Sequence, residues 1–223
     1  MAFPTTGLLD NFNRATEDPL ANGTWSGPVI SGHGQLKVGS GGSANQAVPS
    51  AGGNSSSYWS AATFGPDCEV FTVLSQKPGD GLLIALYARI VNPNVAGATD
   101  GYRLLILTLA AADQWFISRI DNDVATTLGL LATQEIATGD SLGLEIVGST
   151  ITAYHKSAGV WSAVFSRTDA TYTAAGNIAI FDNATTGFLD DFSGGTIVAA
   201  GGAAPPGHGA LLSGIRNQVI QRV

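Results

Sequence analysis

The fold is decided by a stretch near the C-terminal end, Gly187-Phe188-Leu189-Asp190-Asp191-Phe192-Ser193-Gly194-Gly195. It repeats the chemistry of a stretch near the start, Leu8-Leu9-Asp10-Asn11-Phe12-Asn13-Arg14, because each stretch places carboxylates beside a phenylalanine. Both stretches are typical of β-strands, in which neighbouring side chains point to opposite faces of a sheet. We predict that the two strands pair and close the intervening chain into one sandwich.

Working outward from these strands, short β-rich runs alternate with turns at the roughly 8–12-residue spacing of sandwiches and barrels. The separators, such as Lys77-Pro78-Gly79-Asp80, are rich in residues that favour turns. The pattern predicts an all-β fold with two antiparallel sheets, a jelly-roll β-sandwich. Before the closing strand we predict strands over 7–12, 23–26, 35–38, 56–61, 68–75, 81–90, 102–110, 114–120, 124–131, 141–147, 151–156, 160–166 and 177–181.

Several central strands are apolar in both phases of the alternation, notably over 82–87 and 104–109. This pattern is typical of strands that are covered on both faces. One cover is the second sheet. The other is a loop, a neighbouring subunit or a bound surface.

The composition changes after Gly195, so we divide the chain into a jelly-roll domain over 1–195 and a C-terminal part over 196–223. The run 199–207 has the Gly, Ala and Pro content of a linker. Beyond it, apolar residues recur at helical spacing, which indicates either a tail that docks on a partner or a frayed terminus. The apolar residues of this tail are Leu211, Leu212, Ile215, Val219, Ile220 and Val223.

Composition excludes several classes of function. The 223 residues carry a net charge of −7 without any basic cluster, so we expect no nucleic-acid partner. The longest apolar runs are far shorter than the ~20 residues of a membrane-spanning helix, so we expect no membrane partner. A single cysteine excludes a disulfide framework. The first residues lack the charged and apolar regions of a secretory signal, which predicts synthesis in the cytoplasm.

The order of several motifs resembles the concanavalin A-like lectin/glucanase superfamily, in its laminin G-like jelly-roll branch. The resemblance spans about residues 7–195. It implies one of three settings: a glycan-binding module, part of a secreted glycosidase, or a component of a tailed-phage virion. The motifs are 9–14, Phe64-Gly65-Pro66-Asp67, Lys77-Pro78-Gly79-Asp80-Gly81, Asp100-Gly101-Tyr102, Leu142-Gly143-Leu144, Val147-Gly148-Ser149-Thr150, Gly176-Asn177-Ile178-Ala179-Ile180 and Leu189-Asp190-Asp191-Phe192.

No catalytic motif accompanies the resemblance. Glucanases of this superfamily carry two glutamates around an aspartate on one strand, which suits retaining hydrolysis. The four glutamates of this chain, Glu17, Glu69, Glu135 and Glu145, do not form that motif. The three histidines lie far apart in sequence and no nucleophile elbow accompanies them. We therefore predict that the protein is not an enzyme.

Calcium is the one candidate cofactor, as a structural ion implied by the resemblance. Asp10, paired across the sheet with Asp190 or Asp191, would supply carboxylate ligands while loop carbonyls supply the others. The alternative is that one aspartate faces water and its neighbour bonds backbone amides at a strand end.

Glycan binding requires an aromatic platform flanked by groups that bond sugar hydroxyls. The alternative for the four tryptophans, Trp25, Trp59, Trp115 and Trp161, is that they fill the core. The candidates for the glycan site are Tyr87, Arg89, Arg103, Trp115, Arg119 and Tyr154.

The leading functional hypothesis is a structural protein of a phage virion, a head decoration or tail-associated component with a glycan-binding jelly roll. Its partners would be other virion proteins or further copies of itself, and surface glycans. The alternative is a secreted or cell-surface carbohydrate-binding module. A glycoside hydrolase ranks below both.

Overall fold

A computed structural model describes residues 3–198, which form a two-layered β-sandwich. The predicted linker and docking tail lie outside the described residues. No α-helix occurs between residues 3 and 198, and within that range no helix could cross a membrane. The strands are, in chain order, β1 (Leu8–Asp10), β2 (Trp25–Ser26), β3 (Leu36–Val38), β4 (Ala47–Pro49), β5 (Ser55–Trp59), β6 (Cys68–Gln76), β7 (Leu83–Val91), β8 (Asp100–Leu107), β9 (Gln114–Asp121), β10 (Val124–Thr127), β11 (Ala132–Thr133), β12 (Ser141–Val147), β13 (Thr150–Ser157), β14 (Val160–Thr168), β15 (Asn177–Asp182) and β16 (Phe188–Thr196).

Two antiparallel sheets face each other, which confirms the predicted sandwich. Sheet A has the order β14-β13-β12-β6-β16-β4-β3, and β1 also pairs with β16. Sheet B has the order β10-β9-β8-β7-β15-β5-β2, and β11 also pairs with β9. Residues such as Val70 and Leu144 of sheet A and Leu86 and Leu104 of sheet B share one buried apolar core.

The predicted pairing of the two ends is confirmed. Leu8 pairs with Ser193 and Asp10 with Phe192, so β1 lies against β16. Phe12 and Phe192 are completely buried, and both pack on Trp25, with ring centroids 5.8 and 4.7 Å away. These aromatic contacts explain why the two similar stretches meet, because each contributes its phenylalanine to the same core.

The double-sided burial of the central strands is also confirmed, and a loop supplies the second cover. On β7, Ile84 and Leu86 face the main core while Ala85 and Tyr87 belong to a second apolar cluster on the outer face of sheet B. Val29, from the loop between β2 and β3, completes that cluster and is fully buried.

The strand predictions were wrong at a few places. The run predicted over 124–131 ends as a strand at Thr127, and the segments 47–49 and 132–133 are strands that we did not predict. These two strands are only three and two residues long. The periodic signal of alternation needs more residues than that.

Candidate functional site

Three of the residues predicted for a glycan platform lie in the interior. Tyr87, Arg89 and Trp115 are each at most 1% exposed, so the platform hypothesis is corrected at these positions. Trp115 faces the main core, and its indole N–H donates to the carbonyl of Gln134 at 2.8 Å. Alternation separates the two faces of β9, but each phase mixes apolar and polar residues. The sequence could not tell which phase faces the core.

Arg89 holds loops together instead of facing a ligand. Its guanidinium is buried and donates to three backbone carbonyls, those of Pro66 (2.6 Å), Tyr172 (2.9 Å) and Gly148 (2.9 Å). The carboxylate of Asp67 lies 3.6 Å away. The buried charge is therefore compensated by fixed dipoles and by one carboxylate.

Arg119 is occupied by a polar network at one end of the sandwich. It pairs with Asp121 at 2.8 Å and with Asp169 at 3.0 Å. Tyr102 donates to Asp169 and Tyr172 donates to Asp121, each at 2.7 Å. The guanidinium of Arg119 is therefore already paired with carboxylates of the protein.

The predicted calcium ligands do not form a calcium site. Both oxygens of Asp10 accept hydrogen bonds from N–H groups, namely Nη1 of Arg14 (2.7 and 2.9 Å), Nε1 of Trp25 (2.6 Å) and the amide of Phe12 (2.8 Å). Asp191 is exposed on the outer face of sheet A. No cluster of three or more His, Cys, Asp or Glu suited to a metal occurs within residues 3–198. N–H donors therefore already surround the carboxylate of Asp10 in this structure.

The outer face of sheet A carries a row of side chains whose proximity the sequence did not predict. Cross-strand register places Trp161 beside Lys156, Lys156 beside Ser141, and Ser141 beside Val73. Directly opposed residues of antiparallel strands present their side chains on the same face. These four residues line one side of a cleft of about 320 Å³, whose remaining lining comes from Pro4, Leu8, Phe71, Asp191 and Ser193.

A second row on the same face lies beneath the N-terminal strap, which we define as residues 3–7. Tyr154, Gly143 and Phe71 are neighbours in register, and the ring of Phe3 covers them. Phe3 also meets the Trp161 ring edge-on, with centroids 4.8 Å apart. Gly143 makes this possible, because a Cβ there would clash with the Phe3 ring.

A third row anchors the strap. Glu69 is completely buried, and its Oε1 accepts hydrogen bonds from the amides of Thr5 (2.6 Å) and Thr6 (2.5 Å) and from both threonine hydroxyls. Glu145 lies directly opposite Glu69 and accepts a hydrogen bond from the hydroxyl of Tyr154 at 3.2 Å. Burial, and then the nearby charge of Glu69, raises the pKa of Glu145. The strap covers the second and third rows and leaves the first row open.

Two groups of opposite charge line the open cleft without pairing with each other within 4 Å. Among residues 3–198, the ammonium of Lys156 has no hydrogen-bond partner, and it lies 6.0 Å from the centroid of the Trp161 ring. Asp191 has a φ of 47°, in the left-handed region, where a non-glycine residue is strained. This backbone belongs to the irregular part of β16 between Asp190 and Ser193. Both charged groups are available to a bound molecule.

Two predicted residues, Arg103 and Tyr154, remain on outer faces. Tyr154 belongs to the second row of sheet A, where Phe3 stacks on it, and Arg103 lies on sheet B. The structure therefore does not bring the six predicted residues together. The structure adds Trp161 and Lys156 to the candidate site. They lie opposite each other on the two strands of a predicted hairpin. A glycine within the apolar run 142–144 was the one sequence signal of a close approach at this face.

Comparison with known proteins supports the fold. No family model and no curated protein matches the sequence. Among solved structures, the carbohydrate-binding module CBM66 from Bacillus subtilis matches with a TM-score of 0.54 and 18% identity, over 75% of this chain and 99% of that chain. A β-glucanase from Bacillus licheniformis matches with a TM-score of 0.54 and 11% identity, over 87% and 100%.

A third neighbour is the exoplasmic/lumenal domain of VIP36 in its form bound to Ca²⁺ and Man3GlcNAc. It matches with a TM-score of 0.52 and 12% identity, over 82% of this chain and 88% of that chain. At these identities the likeness shows the fold alone. The chain thus has a two-sheet jelly-roll β-sandwich fold like that of these three structures.

Proposed function

We propose that this chain is a non-enzymatic carbohydrate-binding protein and that the cleft beside Trp161 is its sugar site. The cleft carries the proposal because it combines an indole with charged and hydroxyl groups on one open row. Aromatic rings pack against the apolar faces of sugars, while well-placed polar groups bond the hydroxyls and fix orientation. Two of the fold's neighbours, a carbohydrate-binding module and a domain in its Man3GlcNAc-bound form, support the same class of ligand.

Each group of the cleft has a definite part in this proposal. Trp161 forms the platform, and Lys156 donates hydrogen bonds from an ammonium that has no other partner among the described residues. Asp191 accepts from sugar hydroxyls, and the hydroxyls of Ser141 and Ser193 lie at the buried side of the cleft. A cleft of about 320 Å³ is at the small end of ligand sites, which favours one or two sugar units.

A glycan array with purified protein tests the proposal. We expect saturable binding that Trp161→Ala abolishes and that Lys156→Ala or Asp191→Asn weakens by about tenfold. Asparagine suits position 191 because it tolerates positive φ and removes only the charge. Val160→Ala is the matched control, because Val160 is an exposed neighbour on the same strand that does not line the cleft. A blank array, or binding that survives Trp161→Ala, would contradict the proposal.

The absence of catalysis is part of the same proposal. Glu69 and Glu145 are opposed carboxylates, but the strap occupies Glu69 with four hydrogen bonds and covers the row. An enzyme would be indicated instead by turnover of a β-glucan that Glu145→Gln removes. We expect no turnover.

For the setting, we propose a phage virion, where the chain would be a head decoration or tail-associated protein. The support is the low charge of the sequence and the apolar segment that follows its Gly, Ala and Pro run. The competing setting is a secreted or cell-surface module. Particles purified with and without this gene product distinguish the two, because a virion protein is present only on the former. Its absence from particles would contradict the virion setting.

A further inference from the structure

The outer face of sheet B carries a second polar row. It lies on the opposite sheet from the cleft, which is on sheet A. Register places Tyr87 opposite Arg103 and Arg103 opposite Ser118, on three adjacent strands. These residues are out of phase with Leu104 and Ile117, which face the main core. The row therefore lies on the face that Val29 and the second apolar cluster partly cover.

Three buried polar atoms near this row have no hydrogen-bond partner among the described residues. They are Nε of Arg103, the hydroxyl of Ser118 and Nδ1 of His33. His33 comes from the loop between β2 and β3, and its ring packs near Phe181 with centroids 6.0 Å apart. Buried polar atoms are usually paired, and each one left unpaired is destabilising. Three of them in one region indicate a missing partner.

The charge of Arg103 specifies what that partner must offer. Of the eight Lys and Arg side chains within residues 3–198, five form ion pairs with carboxylates, and Arg167 donates to backbone carbonyls. Arg103 forms no ion pair within this range. The carboxylate of Asp123 acts on the charge of His33, and it already accepts from the amides of Gly97 and Thr99.

Arg103, Ser118 and His33 can each donate a hydrogen bond to a ligand. A guanidinium can only donate, a serine hydroxyl can donate, and a neutral imidazole can donate from Nδ1. Burial, and then the charge of Arg103, lowers the pKa of His33, so its ring is neutral at physiological pH. Such a set matches a planar or tetrahedral oxyanion, which accepts several charge-assisted hydrogen bonds at once.

We propose that Arg103, Ser118 and His33 form an oxyanion-binding site on the outer face of sheet B, distinct from the cleft on sheet A. Its ligand is a carboxylate or sulfate group, carried by an acidic sugar or free in solution. This role for Arg103, Ser118 and His33 is independent of the proposed sugar cleft.

Isothermal titration of the full chain with sodium glucuronate, sodium sulfate and glucose tests this site. We expect glucuronate, sulfate or both to bind and glucose not to bind here. Binding of glucuronate alone identifies an acidic sugar as the ligand, and binding of sulfate identifies a site for the anion itself. Arg103→Ala should weaken anion binding by about tenfold or more. Lys37→Ala, which removes the same charge from sheet A, should leave anion binding unchanged.

Ser118→Ala provides a second variant in case Arg103→Ala fails to fold, because it deletes one hydroxyl and little volume. It should weaken anion binding several-fold while the circular dichroism spectrum stays that of the wild type. The proposal is overturned if neither anion binds, or if both variants bind anions as the wild type does. Retention of anion binding by Trp161→Ala separates this site from the sugar cleft, so either proposal can fail without the other.

Discussion

The ring of Phe3 lies flat on the ring of Tyr154, with centroids 4.0 Å apart and an interplanar angle of 5°. The contact joins the N-terminal strap to the middle of sheet A, because Tyr154 lies on β13. Gly143 lies between Tyr154 and Phe71 in register and leaves the space that the Phe3 ring fills. The strap is thus held by a ring at one end and by Glu69 at the other.

Replacing Phe3 should loosen the strap. We expect Phe3→Ala to lower the free energy of unfolding by about 2 kcal/mol, because a buried ring and its stacking contact are lost at the edge of the molecule rather than at its centre. Urea denaturation measures the change, and Phe3→Leu should lose less.

Gly143→Ala checks the same contact from below. Its Cβ would clash with Phe3, so the substitution should be costly in the wild type and much less costly in the Phe3→Ala background. Equal costs in the two backgrounds would show that the ring does not occupy this space.

Asp10 should stabilise the fold without calcium. We expect Asp10→Asn to lower the free energy of unfolding by about 2 kcal/mol, since the bonds from Arg14 and Trp25 to a carboxylate are charge-assisted or buried. The loss should be the same in calcium and in chelator. A loss seen only with calcium would return Asp10 to the role of a metal ligand. Asp18→Asn, at an exposed pair with Lys37, is the control and should change little.

Arg89 should be among the least replaceable residues of the chain. Arg89→Met leaves three carbonyls without their donor, and we expect a loss of about 3 kcal/mol or more. Arg167→Met is the matched control, because Arg167 also donates to carbonyls but lies nearer to solvent. Thermal and urea unfolding of both variants decide the matter. Similar losses would mean that burial of Arg89 adds nothing.

Asp182 should make stability depend on pH. Burial raises its pKa to about 8 from an ordinary 3.8, although the amide of Ala184 donates to it. The folded chain therefore keeps a proton that the unfolded chain releases. Its stabilising contribution is complete below about pH 3.8 and is lost as the pH rises through about 8.

Urea denaturation between pH 5 and pH 8 should show wild-type stability falling relative to Asp182→Asn, by at most about 1.4 kcal/mol per pH unit. Asp80→Asn, at an exposed position, should follow the wild type. Parallel curves for the wild type and Asp182→Asn would refute the assignment.

Sequence patterns predicted the fold well because the signals for it are local and repeated. Turn residues marked most strand ends, and the two aspartate-phenylalanine stretches predicted the pairing of β1 with β16. The site was harder, because it depends on register between strands far apart in sequence. Nothing local indicates that Val73 and Ser141 are neighbours or that Glu69 meets Glu145. Each phase of β9 mixes apolar and polar residues, so alternation could not show that Trp115 faces inward. Trp161, by contrast, lies on an outer face.

The position of β16 in sheet A has a consequence for how the chain is assembled. This strand lies between β6 and β4 and also receives β1, so it occupies the interior of the sheet although it is the last of the described strands. During synthesis, β6, β12, β13 and β14 leave the ribosome long before it does. Until Phe188–Thr196 emerges, the β14-β13-β12-β6 and β4-β3 parts of the sheet are separate and have open edges, and β1 has no partner strand. The final strand then joins all three.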